Sequence, residues 1–481
     1  MPTTIVWFRR DMRLADNPAL RYATGRGPVV PVYILAPREE SDRPPGRASQ
    51  WWLHRSLQAL SASLLRHGVP LVIRRADDSL GMLRQLLRET GADSVVWNRL
   101  YEPMHIDRDR KIMRQLRELG TDVRSFNAAL LCEPWTVKKK DGGPYRAFTP
   151  YWRAASGDAC SQVPETAAGP ILGLDTSPDG LEPGAPDLFP DIPRDRGFHH
   201  CWRPGEAGAH ARLHAFLERA LDGYGVKRNR PAEQGTSGLS PHLHFGEIGP
   251  RQIVAALRQR LAEEGSPRAD GERFLSELGW REFAHHLLYH HPDMPDEPLD
   301  GRFREFPWSR NHDAALRAWQ RGQTGIPVVD AGMRQLWSSG WMHNRARMIV
   351  GSLLTKNLLI PWQTGQAWFW DTLVDADLAN NSMGWQWIQG CGADAAPYFR
   401  IFNPVRQAER FDPDGHYVRR WVPELARLPA KHIHAPWEAP PTMLRAAGVR
   451  LGKHYPEPVV DLARSRSTAL TAYRTMRSRM A

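Results

Sequence analysis

Between Val163 and Pro193 the chain sets seven prolines (Pro164, Pro170, Pro178, Pro183, Pro186, Pro190 and Pro193) among glycines. The hydrophobic pattern differs on the two sides of this stretch. Proline fixes φ and offers no N–H, so neither a regular helix nor a central strand runs through it. The chain is therefore expected to fold as two bodies joined by an extended connector.

Ahead of the connector, TTIVWF, PVVPVYIL, PLVIRR, DSVVWN and TDVRSF are short β-branched runs. Helical patterns such as Ala48–His67 and Ser79–Thr90 lie between them. That alternation predicts a parallel sheet with helices on both faces. No GxGxxG follows the first strand, so no dinucleotide motif is predicted there. Beyond about Ala207 nearly everything reads helical: Ala207–Asp222, Pro250–Glu264, Gly271–His291, Ala314–Gly322, Trp341–Asn357 and Gln363–Asp377. The expected fold is an α/β N-terminal domain with a parallel Rossmann-like sheet (1–130), a long linker (131–206) and an all-α C-terminal domain (207–462). A short basic tail (463–481) follows, carrying Arg464, Arg466, Arg474, Arg477 and Arg479 with no acid. It reads as a helical end or as a loose basic arm.

With 481 residues, 24% charged and 41% hydrophobic, the chain has ordinary globular composition and room for two or three domains. No run approaches the roughly 18 apolar residues of a membrane span. MPTTIVWFRRDMR enters a strand pattern with no apolar leader region, so a cytoplasmic protein is expected. Cys132, Cys160, Cys201 and Cys391 form no CxxC pair, which argues against a disulfide scaffold or a cysteine metal site. A net charge of +11 suits an acidic partner such as nucleic acid, though an arginine- and alanine-rich compositional bias accounts for it equally well.

Gly340–Pro404 carries an excess of arginine, asparagine, aspartate and tryptophan on segments that otherwise look like buried helices. Such material in a core calls for a large, planar, charged ligand. Twelve of the 19 tryptophans lie after residue 270, which places the aromatic chemistry in the helical half. Gly235-Thr-Ser-Gly-Leu-Ser-Pro241 precedes a helix, with Ser240 and Pro241 suited to N-cap and first position and Thr236 and Ser237 able to hold a phosphate. Glu277, Trp280, Arg281 and Ala284 share one helical face, as do Asn344, Arg347, Met348 and Gly351. Asp375 and Asp377 offer carboxylates to the arginines. His285, His286, His290 and His291 sit before Pro292, where cations complement a helix dipole. No metal site is expected.

WFRRDMRLADNPAL, GTSGLSPHLHFGEI, ELGWREF, GIPVVDAGMRQLWSSGWMHNRARM, VDADLANNSMGWQW and APYFRIFNP together resemble the photolyase/cryptochrome family, in family order, from about Thr4 to Leu462. The resemblance implies FAD bound by Tyr224, by Thr236, Ser237, Gly238, Leu239 and Ser240, and by Phe274 (a position where the family often has Trp). Arg347, Asp375, Ala376, Asp377 and Asn381 complete that set, with Asn381 near flavin N5. It further implies a flipped pyrimidine dimer received by Glu277, Trp280, Asn344, Arg345, Met348, Trp387 and Arg400, and a DNA phosphate at Arg228. Glu277 would hydrogen-bond the dimer base, and Trp385, Trp362 and Trp308 match the family's electron relay to the flavin.

Within the family, the resemblance is greatest to a bacterial cyclobutane pyrimidine dimer photolyase of the branch near plant cryptochromes. Asn344 and Met348 suit that substrate, whereas enzymes for the (6-4) photoproduct usually have histidine in place of the asparagine. The C-terminal third resembles plant cryptochromes, so a blue-light receptor without repair activity is the main alternative. Against it stand Asn381, where plant cryptochromes usually carry Asp, and the complete set Glu277, Trp280, Asn344 and Trp387. The expected protein is a monomeric bacterial cytoplasmic enzyme acting on damaged DNA. The resemblance implies an antenna chromophore in the N-terminal domain, a folate such as methenyltetrahydrofolate or a deazaflavin, with an empty site the remaining alternative. Met104 and His105 replace the Asn and Glu of many folate-binding relatives.

Overall fold

The computed structural model describes residues 1–40, 43–161, 163–165, 169–185, 196–395 and 398–478. Five strands, β1 (Thr4–Phe8), β2 (Val29–Leu35), β3 (Val72–Arg75), β4 (Ser94–Asn98) and β5 (Asp122–Phe126), form one parallel sheet in the order β3-β2-β1-β4-β5. Four helices link them: α1 (Pro18–Thr24), α2 (Arg47–Leu65), α3 (Ser79–Thr90) and α4 (Pro103–Glu118). Strand side chains alternate between two buried faces. Val6, Phe8, Tyr33, Ile73 and Val96 pack with α1 and α2, while Ile5, Trp7, Val32, Val72, Val95 and Trp97 pack with α3 and α4. A sheet covered on both faces explains why these strands read as continuous apolar runs.

The expected linker is more structured than its sequence suggests. Its first part contains the helix Phe148–Ser161, whose Tyr151, Ala155 and Ala159 are buried in a helical core. The connector proper runs against the sheet: Val29 N–H donates to Leu172 O at 2.7 Å and Leu181 N–H to Ile73 O at 2.8 Å. Pro186, Pro190 and Pro193 lie outside the described residues.

Two cores organise the helical half. One surrounds the helix Arg268–His290, with Leu278, Phe283, Ala284 and Leu287 inside. The other joins the helices Pro327–Ser339, Asn344–Ser352 and Trp362–Thr372. The helix Leu378–Gln389 spans both, placing Leu378 and Ala379 in the first and Trp385 in the second. Buried polar bonds dock this half on the sheet. Arg13, 1% exposed, donates to Gly246 O and Ala128 O at 2.9 Å each, and Asp16 pairs with Arg251 at 3.0 Å.

Several expected elements are bounded differently. The helix predicted from Trp341 starts at Asn344, because the ring of His343 accepts from Arg345 N–H at 3.1 Å and caps it. It then passes into a π-helical turn, Leu353–Asn357. The helix predicted over Gln363–Asp377 stops at Thr372, and Val374 N–H donates instead to Gly340 O at 2.8 Å. The basic tail is a helix, Leu462–Ser478, whose Ser465, Ala469, Ala472 and Met476 are buried while Arg464, Arg466, Arg474 and Arg477 are exposed. Arg479 lies outside the described residues. No described helix is long and apolar enough to cross a membrane.

Candidate functional site

The early stop at Thr372 leaves Val374 and Asp375 in a turn and Ala376 and Asp377 in a short connector facing two helices. Arg347 Nη2 donates to both oxygens of Asp375, at 3.0 and 2.9 Å, and its Nε donates to Met342 O at 2.8 Å. Ser240 Oγ donates to Asp375 Oδ2 at 2.6 Å. Three segments distant in sequence thus meet on one carboxylate. This corrects the reading of Ser240 as an N-cap: Leu239 holds that position, no side chain caps it, and the Ser240 hydroxyl is committed to Asp375.

Among the described residues Asp377 forms no ion pair with an arginine, contrary to the sequence expectation. It caps Leu378–Gln389, accepting from Asn380 N–H at 2.8 Å, with His244 Nδ1 at 3.7 Å and His285 Nε2 at 3.6 Å. Burial opposes its ionisation, but His285 and His244 outweigh that and hold it well below the usual carboxylate range. The same burial pushes both histidines down. His286 is pushed down to about 4 by burial and the neighbouring His290. It sits between Pro134 O at 3.1 Å and Tyr145 N–H at 3.1 Å, as a neutral ring does. His286 and His290 both meet Pro134 O and so hold the 134–145 segment, while His285 faces Asp377. No group of three or more metal-ligating side chains occurs among the described residues.

One turn beyond Asp377, Asn381 Nδ2 donates to Gln366 O at 3.1 Å. Trp385 follows on the same face, its indole N–H buried without an acceptor among the described residues. Thr236 and Ser237 are half-buried, and Gly238 between them and Leu239 has φ +63°, where a Cβ would lie 2.8 Å from Arg212 Nη1. The positive φ favours glycine there. Tyr224 is buried edge-on to Phe274 at 5.6 Å, and Phe216 packs 4.5 Å from Phe274.

Arg228 leaves that Tyr224 turn and pairs with Glu277, Nη2 to Oε2 2.6 Å. Glu277 was expected to share its helical face with a base, Arg281; that arginine instead turns away to Ala129 O at 2.8 Å. Burial raises the Glu277 carboxyl, and Arg228 and Arg273 pull it back only in part. Trp280 stacks on Phe148, centroids 3.9 Å apart and planes 11° off parallel. Arg345 donates to Asn229 Oδ1 at 2.6 Å and lies 4.1 Å over Phe411. Arg400 lies 5.7 Å over Trp387. Asn344 is exposed and Met348 half-buried on the helix that carries Arg347. Ala376 is buried beside the Asp375 pair. Phe148, Asn229, Phe411 and Gln366 were missed by the sequence reading; Phe148 lay inside the expected linker, where nothing marked it.

Trp362 and Trp385 are both 2% exposed in one core, against which Trp308 packs from the rim. Trp385 lies on Gly365, where a Cβ would come 2.1 Å from its ring, and 5.0 Å from Phe369. Trp319, not singled out before, packs 6.4 Å from Trp385.

A second cleft lies beyond the carboxyl end of β1, where the strand order reverses between β2 and β4. Such switch points are where open α/β sheets hold ligands. A cavity of about 60 Å³ there is lined by Arg9, Arg10, Tyr33, His105, Arg108 and Trp370, among others. His105 is engaged with Glu102 at 2.7 Å.

Two families match the sequence: DNA photolyase over residues 4–168, and FAD binding domain of DNA photolyase over residues 274–475. The deoxyribodipyrimidine photo-lyase of Agrobacterium fabrum is 49% identical, over 98% of this chain and 97% of that protein. Cryptochrome-1 of Arabidopsis thaliana is 40% identical, over 95% of this chain and 68% of its own length. A bacterial class III photolyase from Agrobacterium tumefaciens superposes with a TM-score of 0.94 at 47% identity, over 99% of this chain and 98% of that one.

Proposed function

The chain belongs to the photolyase/cryptochrome family and carries its FAD-binding domain, and on that premise we propose that it repairs cyclobutane pyrimidine dimers in DNA with light. The observation that carries this reading is the half-buried Glu277 carboxyl, raised by burial and held 2.6 Å from Arg228. It stands beside a helix whose Arg345 anchors to Asn229 and whose Arg347 anchors to Asp375. One short stretch, 224–229, thereby ties the flavin-type residue Tyr224 to the substrate-type residues Arg228 and Glu277.

The residues fit FAD. Thr236 and Ser237 hydroxyls suit a pyrophosphate, the Arg347–Asp375 pair is internally neutral, and Asn381 presents an amide able to donate or accept. Leu239, Ser240, Phe274, Ala376 and Asp377 complete the set. Bound in reduced form, FAD would supply light-driven one-electron chemistry for opening the cyclobutane ring, with no net redox change.

The chain's own residues do the placing. Arg228, Arg345 and Arg400 attract the phosphates. Trp280 and Trp387 receive the flipped bases, with Asn344 and Met348 bounding them. Flipping costs a few kcal/mol, least for a damaged step, and each indole returns roughly 1–3 kcal/mol by stacking, so two suffice. Glu277, poised to hold a proton, hydrogen-bonds the dimer base edge. Trp308, Trp362 and Trp385 relay electrons that reduce the flavin.

A photoreceptor without repair is the second reading, favoured by the likeness to Arabidopsis cryptochrome-1. The complete dimer-facing set weighs against it, and Asn344 weighs against a (6-4) photoproduct. In the dark, FAD-loaded protein should prefer a dimer-containing strand over its undamaged copy, and Trp280→Ala/Trp387→Ala should abolish that preference while FAD content is kept. Equal affinity for the two strands by the wild type would overturn the dimer pocket.

An antenna chromophore held by the N-terminal domain, a folate or a deazaflavin, belongs to the same reading. The absorption spectrum before and after acid release distinguishes these from an empty site. The division at about residues 130, 206 and 462 and a monomeric, cytoplasmic state belong to the proposal as well.

A further inference from the structure

The helix Asp313–Arg321 turns one face toward a cavity of about 460 Å³ that none of the flavin- or dimer-facing residues lines. Ala314, Arg317, Ala318 and Arg321, at i, i+3, i+4 and i+7, form one wall. The turn carrying Lys453 and His454 forms the other. At the base, Glu424 holds Arg334 with both oxygens, each 2.8 Å from Nη1. That leaves Arg317, Arg321 and Lys453 exposed, without an ion-pair or hydrogen-bond partner among the described residues.

The walls are fixed. Tyr455 Oη donates to buried Asp330 at 2.6 Å, and Asp330 accepts Thr324 N–H at 2.7 Å just beyond the helix end. Val459 N–H donates to Thr324 O at 2.8 Å, and Arg334 Nε to Gly322 O at 3.0 Å. A solvated basic face is ordinary, but it is usually mixed with acids and convex. Here three like charges converge on one concavity whose single carboxylate is already used. That net positive charge favours an entering anion.

We propose that this cavity binds a multiply phosphorylated small molecule of about mononucleotide size, with Arg317, Arg321 and Lys453 on its phosphates. Two guanidinium forks and an ammonium match a diphosphate. The Ala314 and Ala318 methyls leave an apolar strip for the remainder of the ligand, and the volume lies in the range of small-molecule sites.

Calorimetric titration of the dark, FAD-loaded protein with ADP, inorganic pyrophosphate and inorganic phosphate tests this. ADP should bind saturably at one site, tighter than phosphate, and at least ten-fold weaker to Arg317→Ala/Arg321→Ala. Arg464→Ala/Arg466→Ala, which removes the same charge elsewhere, should bind ADP as the wild type does. FAD content and Tm report folding of each variant, and Lys453→Ala serves independently if the double variant is unstable. The proposal is overturned by absent ADP saturation, by equal weakening in both double variants, or by phosphate binding as tightly as ADP. It is overturned too if Arg317→Ala/Arg321→Ala lowers affinity for an undamaged duplex while ADP fails to bind, which assigns the cavity to DNA backbone.

Discussion

Two side chains show how the site's chemistry is set residue by residue. Burial raises Glu277, and the Arg228 bond at 2.6 Å restrains that rise. A nucleic-acid phosphate competing for Arg228 would release the carboxyl to hold a proton against the dimer. Hydrogen bonds to charged groups contribute about 1.5–3 kcal/mol, so Glu277→Gln should lower repair by roughly ten-fold or more at unchanged FAD content; unchanged repair would remove Glu277 from the chemistry. Trp385, buried with its indole N–H unpartnered among the described residues, makes a separable prediction. Trp385→Phe should block photoreduction of oxidised FAD but spare repair by chemically reduced protein, and loss of both would contradict a relay role. At this scale the sequence showed which residue types converge, including the Arg347–Asp375 pair. It did not show partners supplied by tertiary approach: the Ser240 hydroxyl on Asp375, Phe148 beneath Trp280, Asn229 on Arg345. Those depend on how distant segments dock, which local spacing does not encode.

Helices here are held by buried polar contacts as much as by apolar faces. Glu282, inside Arg268–His290, accepts from Leu131 N–H at 2.9 Å and Cys132 N–H at 3.0 Å, binding that helix to the segment after the sheet. Burial pushes its carboxyl up to about 7, against the pull of Arg281 and the two N–H groups. Between the ordinary carboxylate value and that raised one, the folded state holds a proton that the unfolded chain releases. The associated stability is present at low pH and lost as pH rises through about 7, an effect on the order of 3 kcal/mol at most. Tm should fall more between about pH 5 and about pH 8 in the wild type than in Glu282→Gln; parallel falls would contradict the assignment. The helix boundaries that misled the sequence reading have similar causes. Thr372 ends its helix because Val374 N–H is taken by Gly340 O, and only that break turns Asp375 toward Arg347.

Across the whole molecule, the parallel sheet and the helical half were legible because strands buried on both faces and long helical periodicities are strong signals. The connector was over-read, since proline density marks extended chain but does not reveal that Phe148–Ser161 packs into the core ahead of it. The basic tail was left open because a helix anchored by Ser465, Ala469, Ala472 and Met476 has too narrow an apolar stripe to announce itself. Docking of the two halves through Arg13, Asp16 and Arg251 keeps the switch-point cleft facing the helical half, where Trp370 and Ala376 complete its lining. The central claim, light-driven repair at a site joining Arg347–Asp375 to Arg228–Glu277, is tested by illuminating the FAD-reduced protein with a thymine-dimer oligonucleotide and counting restored thymines by chromatography. Two thymines should return per dimer, in the light only, with no net oxidation of the flavin. Intact dimers after illumination, with reduced FAD bound and the strand engaged, would contradict it.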